Sequence, residues 1–318
     1  MRNPFMHQVV EYLKAYRGVY SDTTLEVVDR RLRRHNKEFL VLKEKGLIST
    51  LDPRSLTLED IKVFYMTLKE RNLTKGTISH ELGDIHNLCM FANGNTAVKQ
   101  FLKRFPQAKA KKRNKRLPPL PPGLKEMIMD EAANVRTGDF QTMRAYAIVL
   151  TAFSTGARVI ELRNAKVSNL DLDAGTLFLE VVKGADLYGE PRECPIIYQF
   201  AEDFLKRYIE EHKRYFNELK IRTDVLFPGP LGLMVSGQSV RRFKEEIAAV
   251  CKQSFDFRMC RRDYAQTLID RGVPYDSVAL LMGHVDTSMT EQNYGRKTLD
   301  DALREVSNAI NSMECGKN

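Results

Sequence analysis

The chain has 318 residues, 43% hydrophobic and 29% charged, with 50 lysines and arginines against 41 aspartates and glutamates for a formal charge of +9. That length suits about two domains with cores of their own, and no apolar run approaches the roughly 18 residues of a membrane helix. With no charged-then-apolar opening segment either, a soluble cytoplasmic protein is expected. The five cysteines, Cys89, Cys194, Cys251, Cys260 and Cys315, form no C-x-x-C pair, which speaks against a zinc site or a disulfide framework.

From Phe5 to Phe105 apolar residues recur at three- and four-residue spacing, the period of helices with one buried face. Ser21 to Thr24 can cap a long helix carrying Leu25, Val28, Leu32, Phe39 and Leu42. Leu56 to Leu68 forms a second stripe through Leu58, Ile61, Phe64 and Leu68. A third helix follows Thr74 and Gly76 through Ile78, Leu82, Ile85 and Leu88, and stops near Asn93 and Gly94. His80 and His86 lie on it among apolar neighbours, the setting of hydrogen-bonded structural histidines. The bundle holds no cluster of catalytic residue types, so binding is expected of it.

Between Lys99 and Arg116 stand nine basic residues and no acid, and removing them leaves 41 bases against 41 acids elsewhere. A stripe carrying the whole charge excess is an electrostatic footprint for a polyanion. Lys109, Lys111, Lys112, Arg113, Lys115 and Arg116 are its candidate DNA contacts. The following R-L-P-P-L-P-P-G, Arg116 to Gly123, opposes helix and reads as a linker. A basic linker suits a clamp whose halves close around a duplex. The boundaries follow: 1–106 helical, 107–123 linker, 124–298 second domain and 299–318 a terminal helix.

Leu124 to Ala133 and Thr142 to Thr155 read as helices, the latter apolar nearly all round and so buried until it breaks at Gly156. Arg158 and Glu161 follow directly, and an arginine there must be paired or face a ligand. Leu177 to Val182 alternates like a strand, with Glu193 to Ile197 as its partner and Lys183 near the hairpin tip. Tyr198 to Leu219 is an amphipathic helix, and Ser236 or Ser239 can start another through Phe243, Ile247 and Val250.

Arg258, Arg261 and Arg262 then fall within about one and a half helical turns, ahead of an apolar run from Tyr275 to Met282 that ends in Gly283 and His284. Guanidinium forks match phosphate oxygens. Fixed positive charge also lowers the pKa of a phenol that otherwise ionises near pH 10, which points to Tyr294 as a nucleophile. Cys260, among the arginines, reads as a small buried side chain.

In this order S-T-G-A-R-V-I-E-L (Ser154 to Leu162), V-V-K-G ending at Gly184, R-M-C-R-R (Arg258 to Arg262), L-M-G-H and Tyr294 resemble the tyrosine recombinase, or phage integrase, family. The resemblance covers Leu117 to about Lys297 by motif and the N-terminal bundle by position and helical character. It implies a mainly α, two-domain fold: a SAM-like core-binding bundle, then an α+β catalytic domain with a small antiparallel sheet. It implies that Arg158 and Arg261 hold the scissile phosphate and that Lys183 protonates the leaving 5′ oxygen. His284 stands beside the phosphate, Tyr294 attacks, and Glu161 is a structural partner. Leu299 to Ile310 resembles the family's terminal helix, which is either exchanged between subunits or packed on its own domain.

Two positions depart from the family pattern. Arg258 stands where the family usually has histidine or sometimes lysine, and arginine is a poor general base. Tyr294 follows His284 by ten residues where nine is common. The expected activity is site-specific recombination of duplex DNA through a 3′-phosphotyrosyl intermediate, by a homo-oligomer of two to four subunits, with no metal, cofactor or ATP. A non-cutting DNA-binding regulator and a type IB topoisomerase-like nicking enzyme are the rival readings.

Overall fold

A computed structural model describes residues 3–110, 118–181 and 190–283. The chain divides into two compact units, Met1–Arg113 and Asn114–Asn318. The fold is mostly helical with one small antiparallel sheet, as the residues and the resemblance imply. Among the described residues no helix is long and apolar enough to cross a membrane.

The first unit contains α1 (Pro4–Ala15), α2 (Asp22–Glu44), α3 (Leu58–Glu70), α4 (Lys75–Asn93) and α5 (Ala97–Arg104). Side-chain oxygens fix the helix starts: Ser21 accepts from the Thr24 N–H and Thr74 from the Thr77 N–H. Thr57 and Asp60 form a reciprocal capping box that begins α3 two residues later than the stripe alone suggests. Gly94 ends α4 in the left-handed conformation. Leu32 and Phe39 from α2, Ile61 and Phe64 from α3, and Leu82 and Ile85 from α4 meet in one core with Phe5 and Val9. Each such fully buried side chain contributes about 1.5–3 kcal/mol.

His35, which drew no notice in the sequence, is the buried histidine of this bundle. It lies between Glu38 at 3.5 Å and Glu81 at 2.8 Å, so α2 and α4 share a charge cluster. Burial alone would lower its pKa, yet those two carboxylates prevail and raise it. The two histidines singled out by sequence differ from expectation: His80 is exposed and His86 half-buried, with no partner for its Nδ1 among the described residues.

The second unit is organised around α7 (Phe140–Thr155), whose residues from Met143 to Thr155 are all buried. It packs against α6 (Leu124–Ala133), α9 (Gln199–Glu218), α10 (Gly237–Val250) and α11 (Phe257–Asp270). Asp139 caps its start by accepting from the Thr142 N–H, so the helix begins two residues before the predicted Thr142. The sheet has order β1-β2-β3, with β1 (Leu170–Asp171), β2 (Thr176–Leu179) and β3 (Arg192–Pro195) all antiparallel. The register sets Thr176 opposite Pro195 and Leu179 opposite Arg192, so the strands pair over a shorter span than their alternation suggests. α8 (Val159–Asn164) and α12 (Tyr275–Leu281) complete the set.

The extended stretch expected over 107–123 is packed at both described ends. Ala108 is buried in the first core and Leu120 in the second.

Candidate active site

α7 ends at Gly156, whose φ of +66° and carbonyl direction follow from the absence of a side chain. A Cβ there would lie 2.6 Å from the Tyr264 ring, so the close approach of α7 and α11 also requires glycine. The next turn starts α8, with Arg158 at its N-cap: the Arg158 N–H donates to Glu161 Oε2 at 2.7 Å. The Arg158 guanidinium folds back on the same carboxylate, Nη1 to Oε1 at 2.7 Å, while Nη2 reaches the Gly283 carbonyl at 3.4 Å.

Arg261 comes from α11, over a hundred residues away in sequence, and is nearly buried. Its Nη1 donates to the Gly156 carbonyl at 2.6 Å and its Nη2 to the Met282 carbonyl. The two arginines singled out by sequence are therefore brought to one turn, Met282–Gly283, just before His284.

A third guanidinium was not read from the sequence. Arg192 on β3 donates Nη2 to Glu161 Oε2 at 2.9 Å, Nη1 to Oε1 at 3.3 Å and Nε to the Leu281 carbonyl at 2.8 Å. Glu161 is thus a buried carboxylate gripped by two arginines, the structural partner the resemblance implies. Burial pushes its pKa up, but the hydrogen bonds and charges of Arg192 and Arg158 outweigh this and hold it below the ordinary value. A charged residue in a short strand normally reads as solvated, and the pairing lies 31 residues away in sequence, so only an unexplained Arg beside Pro191 could have hinted at it.

Arg258 is exposed on the first turn of α11 and lines a cavity of about 350 Å3 with Arg241, Lys244 and Val159. An acid on that wall, Asp256, accepts from the Met259 N–H as the α11 cap. Arg262 points elsewhere, donating Nε to the Pro118 carbonyl at 2.7 Å. Asp263 beside it pairs with Lys125 at 2.9 Å. Cys260 is fully buried and burial raises its thiol pKa well above the ordinary range, so it offers no thiolate nucleophile. Lys109 is exposed. Lys111, Lys112, Arg113, Lys115, Arg116, Lys183, His284, Tyr294 and the terminal stretch from Leu299 lie outside the described residues, so their expected roles rest on the sequence.

Among the described residues one group has the spacing of a metal site: ligand atoms of His35, Glu81 and Asp84 lie within 4.8 Å of one another. Arg34 pairs with Glu81 and Arg31 with Asp84, so guanidinium charge already neutralises both carboxylates and the group does not fit a resident cation.

A model of the phage integrase family matches residues 125–300. The tyrosine recombinase XerC of Anoxybacillus flavithermus is 24% identical over 287 residues, which cover 89% of each chain. The Tn1549 transposon integrase, solved in complex with a circular intermediate DNA, is similar in fold with a TM-score of 0.67 at 16% identity, over 96% of this chain and all of that one. A lambda integrase dimer bound to a COC′ core site gives 0.62 at 15% identity, over 92% of this chain and 95% of that one.

Proposed function

The chain belongs to the phage integrase family of tyrosine recombinases, and on that premise we propose that it is a site-specific DNA recombinase that cuts and rejoins strands through Tyr294. The observation that carries this reading is the meeting of Arg158 and Arg261 at the Met282–Gly283 turn. Two guanidiniums from separate elements aimed at one point are what a phosphodiester in transit to a crowded oxyanion needs.

In this reading the Tyr294 oxygen attacks the phosphorus in line, the bond to the 5′ oxygen breaks, and Lys183 gives that oxygen its proton. The product is a 3′-phosphotyrosyl link and a free 5′ hydroxyl. Bond energy is conserved, so rejoining needs no ATP. A guanidinium is a hydrogen-bond donor and a poor general base, so with Arg258 at that position the phenol proton goes to His284 or to water. Arg258, Arg241 and Lys244 act as phosphate donors around the cut. Lys109 to Arg116 hold the duplex, and the unit of action is a dimer to tetramer on DNA.

The test is a nicked suicide duplex, its sequence recovered by selecting bound DNA from a random pool. Wild-type protein is expected to give a denaturant-resistant protein–DNA adduct that Tyr294→Phe does not. Tight binding with no adduct from wild type overturns cleavage in favour of a DNA-binding regulator. Relaxation of supercoiled plasmid without recombinant products places the protein with nicking and closing enzymes instead.

A further inference from the structure

We propose that Arg192 is a positioning residue for the cleavage step, aiming Arg158 and fixing the Met282–Gly283 turn through a buried fork on Glu161. The inference rests on the recombinase reading above and deepens it. Three chain segments meet on this one side chain: its own strand β3, Glu161 at 31 residues' distance in sequence, and Leu281 at 89. The contact with the turn is close: Gly283 has a φ of +59°, and a Cβ there would lie 2.9 Å from Arg192 Nη1. Arg192 opens β3 and stands opposite Leu179, the last residue of β2.

Stability alone does not call for such a cluster. Buried ion pairs cost desolvation that their attraction barely recovers, and well-packed apolar replacements are often as stable or more so. Geometry is what the charges supply. Glu161 accepts from Arg192 on both oxygens, which leaves it oriented to hold Arg158 by Nη1 and by the backbone N–H. Two guanidiniums on one carboxylate also leave the cluster with one net positive charge, and its more exposed member is Arg158, with a side chain 26% exposed against 10% for Arg192. Arg192 thus frees Arg158 from full neutralisation by Glu161 while keeping it in place.

The experiment compares wild type, Arg192→Lys and Arg192→Gln on the selected suicide duplex, made with either a phosphodiester or a methylphosphonate at the cut. Lysine keeps the charge but cannot span both Glu161 oxygens and the Leu281 carbonyl. Glutamine keeps one donor without charge and guards against a folding defect peculiar to lysine. Both variants are expected to bind DNA as tightly as wild type and to form adduct at saturating DNA on the order of 100-fold more slowly. The loss should be several-fold smaller on the methylphosphonate, which carries one negative charge less and depends less on Arg158. Equal losses on both substrates would reduce Arg192 to a structural role, and no loss on either would remove the role altogether. A wild-type reaction with no adduct overturns the recombinase reading and this inference with it, an outcome recognisable before any variant is read.

Discussion

A methyl group at Gly156 has nowhere to go: φ is +66° and the Tyr264 ring blocks the space at 2.6 Å. Gly156→Ala is expected to destabilise the second unit by about 1–3 kcal/mol, measured by urea denaturation, and to slow adduct formation because the displaced carbonyl is an Arg261 acceptor. Glu161→Ala removes the acid between two guanidiniums and should cost about 3–5 kcal/mol, a large share of an ordinary domain's stability. Glu161 also predicts an acid limit. Its folded pKa is held below the ordinary 4.5, so its contribution is complete above that value and is lost as the pH falls through the depressed one. Denaturation midpoints of wild type should therefore drop below pH 4.5 more steeply than those of Glu161→Gln. At this scale the sequence spoke through residues with nearby chemistry: Arg158 after a broken apolar helix, Arg261 within a cationic turn, Cys260 as a buried thiol. It was silent on Arg192 and on the carbonyls that orient Arg261, because those contacts join positions 21 to 105 residues apart.

Between elements, the contact of α2 with α4 makes the bundle pH-sensitive in the opposite sense. Burial lowers the His35 pKa but Glu38 and Glu81 raise it further, so the folded value lies above 6.5. Its stabilisation is fully present below pH 6.5 and is lost as the pH climbs through the raised value. Arg71, Arg34 and Arg31 pair with Glu38, Glu81 and Asp84, so the carboxylates that face His35 are themselves bridged to guanidiniums. Stability of the first unit should decline from pH 6.5 upward in wild type and stay level in His35→Gln, followed by circular dichroism in urea. Helices were legible because caps and periodicity agree: Ser21, Thr74, Gly94 and Ser236 mark ends that the side-chain bonds or backbone conformation reproduce. Strands were less so. β1 is two residues long, too short for alternation to register, and β2 stops at Leu179 where alternation continues to Val182.

For the whole molecule the charge distribution makes the sharpest forecast. Replacing Lys109, Lys111, Lys112, Arg113, Lys115 and Arg116 with glutamine should flatten the dependence of log K on log salt by up to about 5, roughly 0.9 for each phosphate that is no longer neutralised. Filter binding across a salt series measures the slope, and an unchanged one would mean that the stripe meets no phosphate. The division into two units could be anticipated from the basic and proline-rich stretch, but the burial of Ala108 and Leu120 could not, since small or isolated apolar residues in such a stretch have no period to reveal them.

Arg261 fastens the final carbonyls of two helices, at Gly156 after α7 and at Met282 after α12, and those groups have no successor in their own helices to satisfy them. Removing this guanidinium would therefore loosen two helix ends at the same moment as it withdraws a phosphate donor, so a slow Arg261 variant is informative only beside a measurement of its folding.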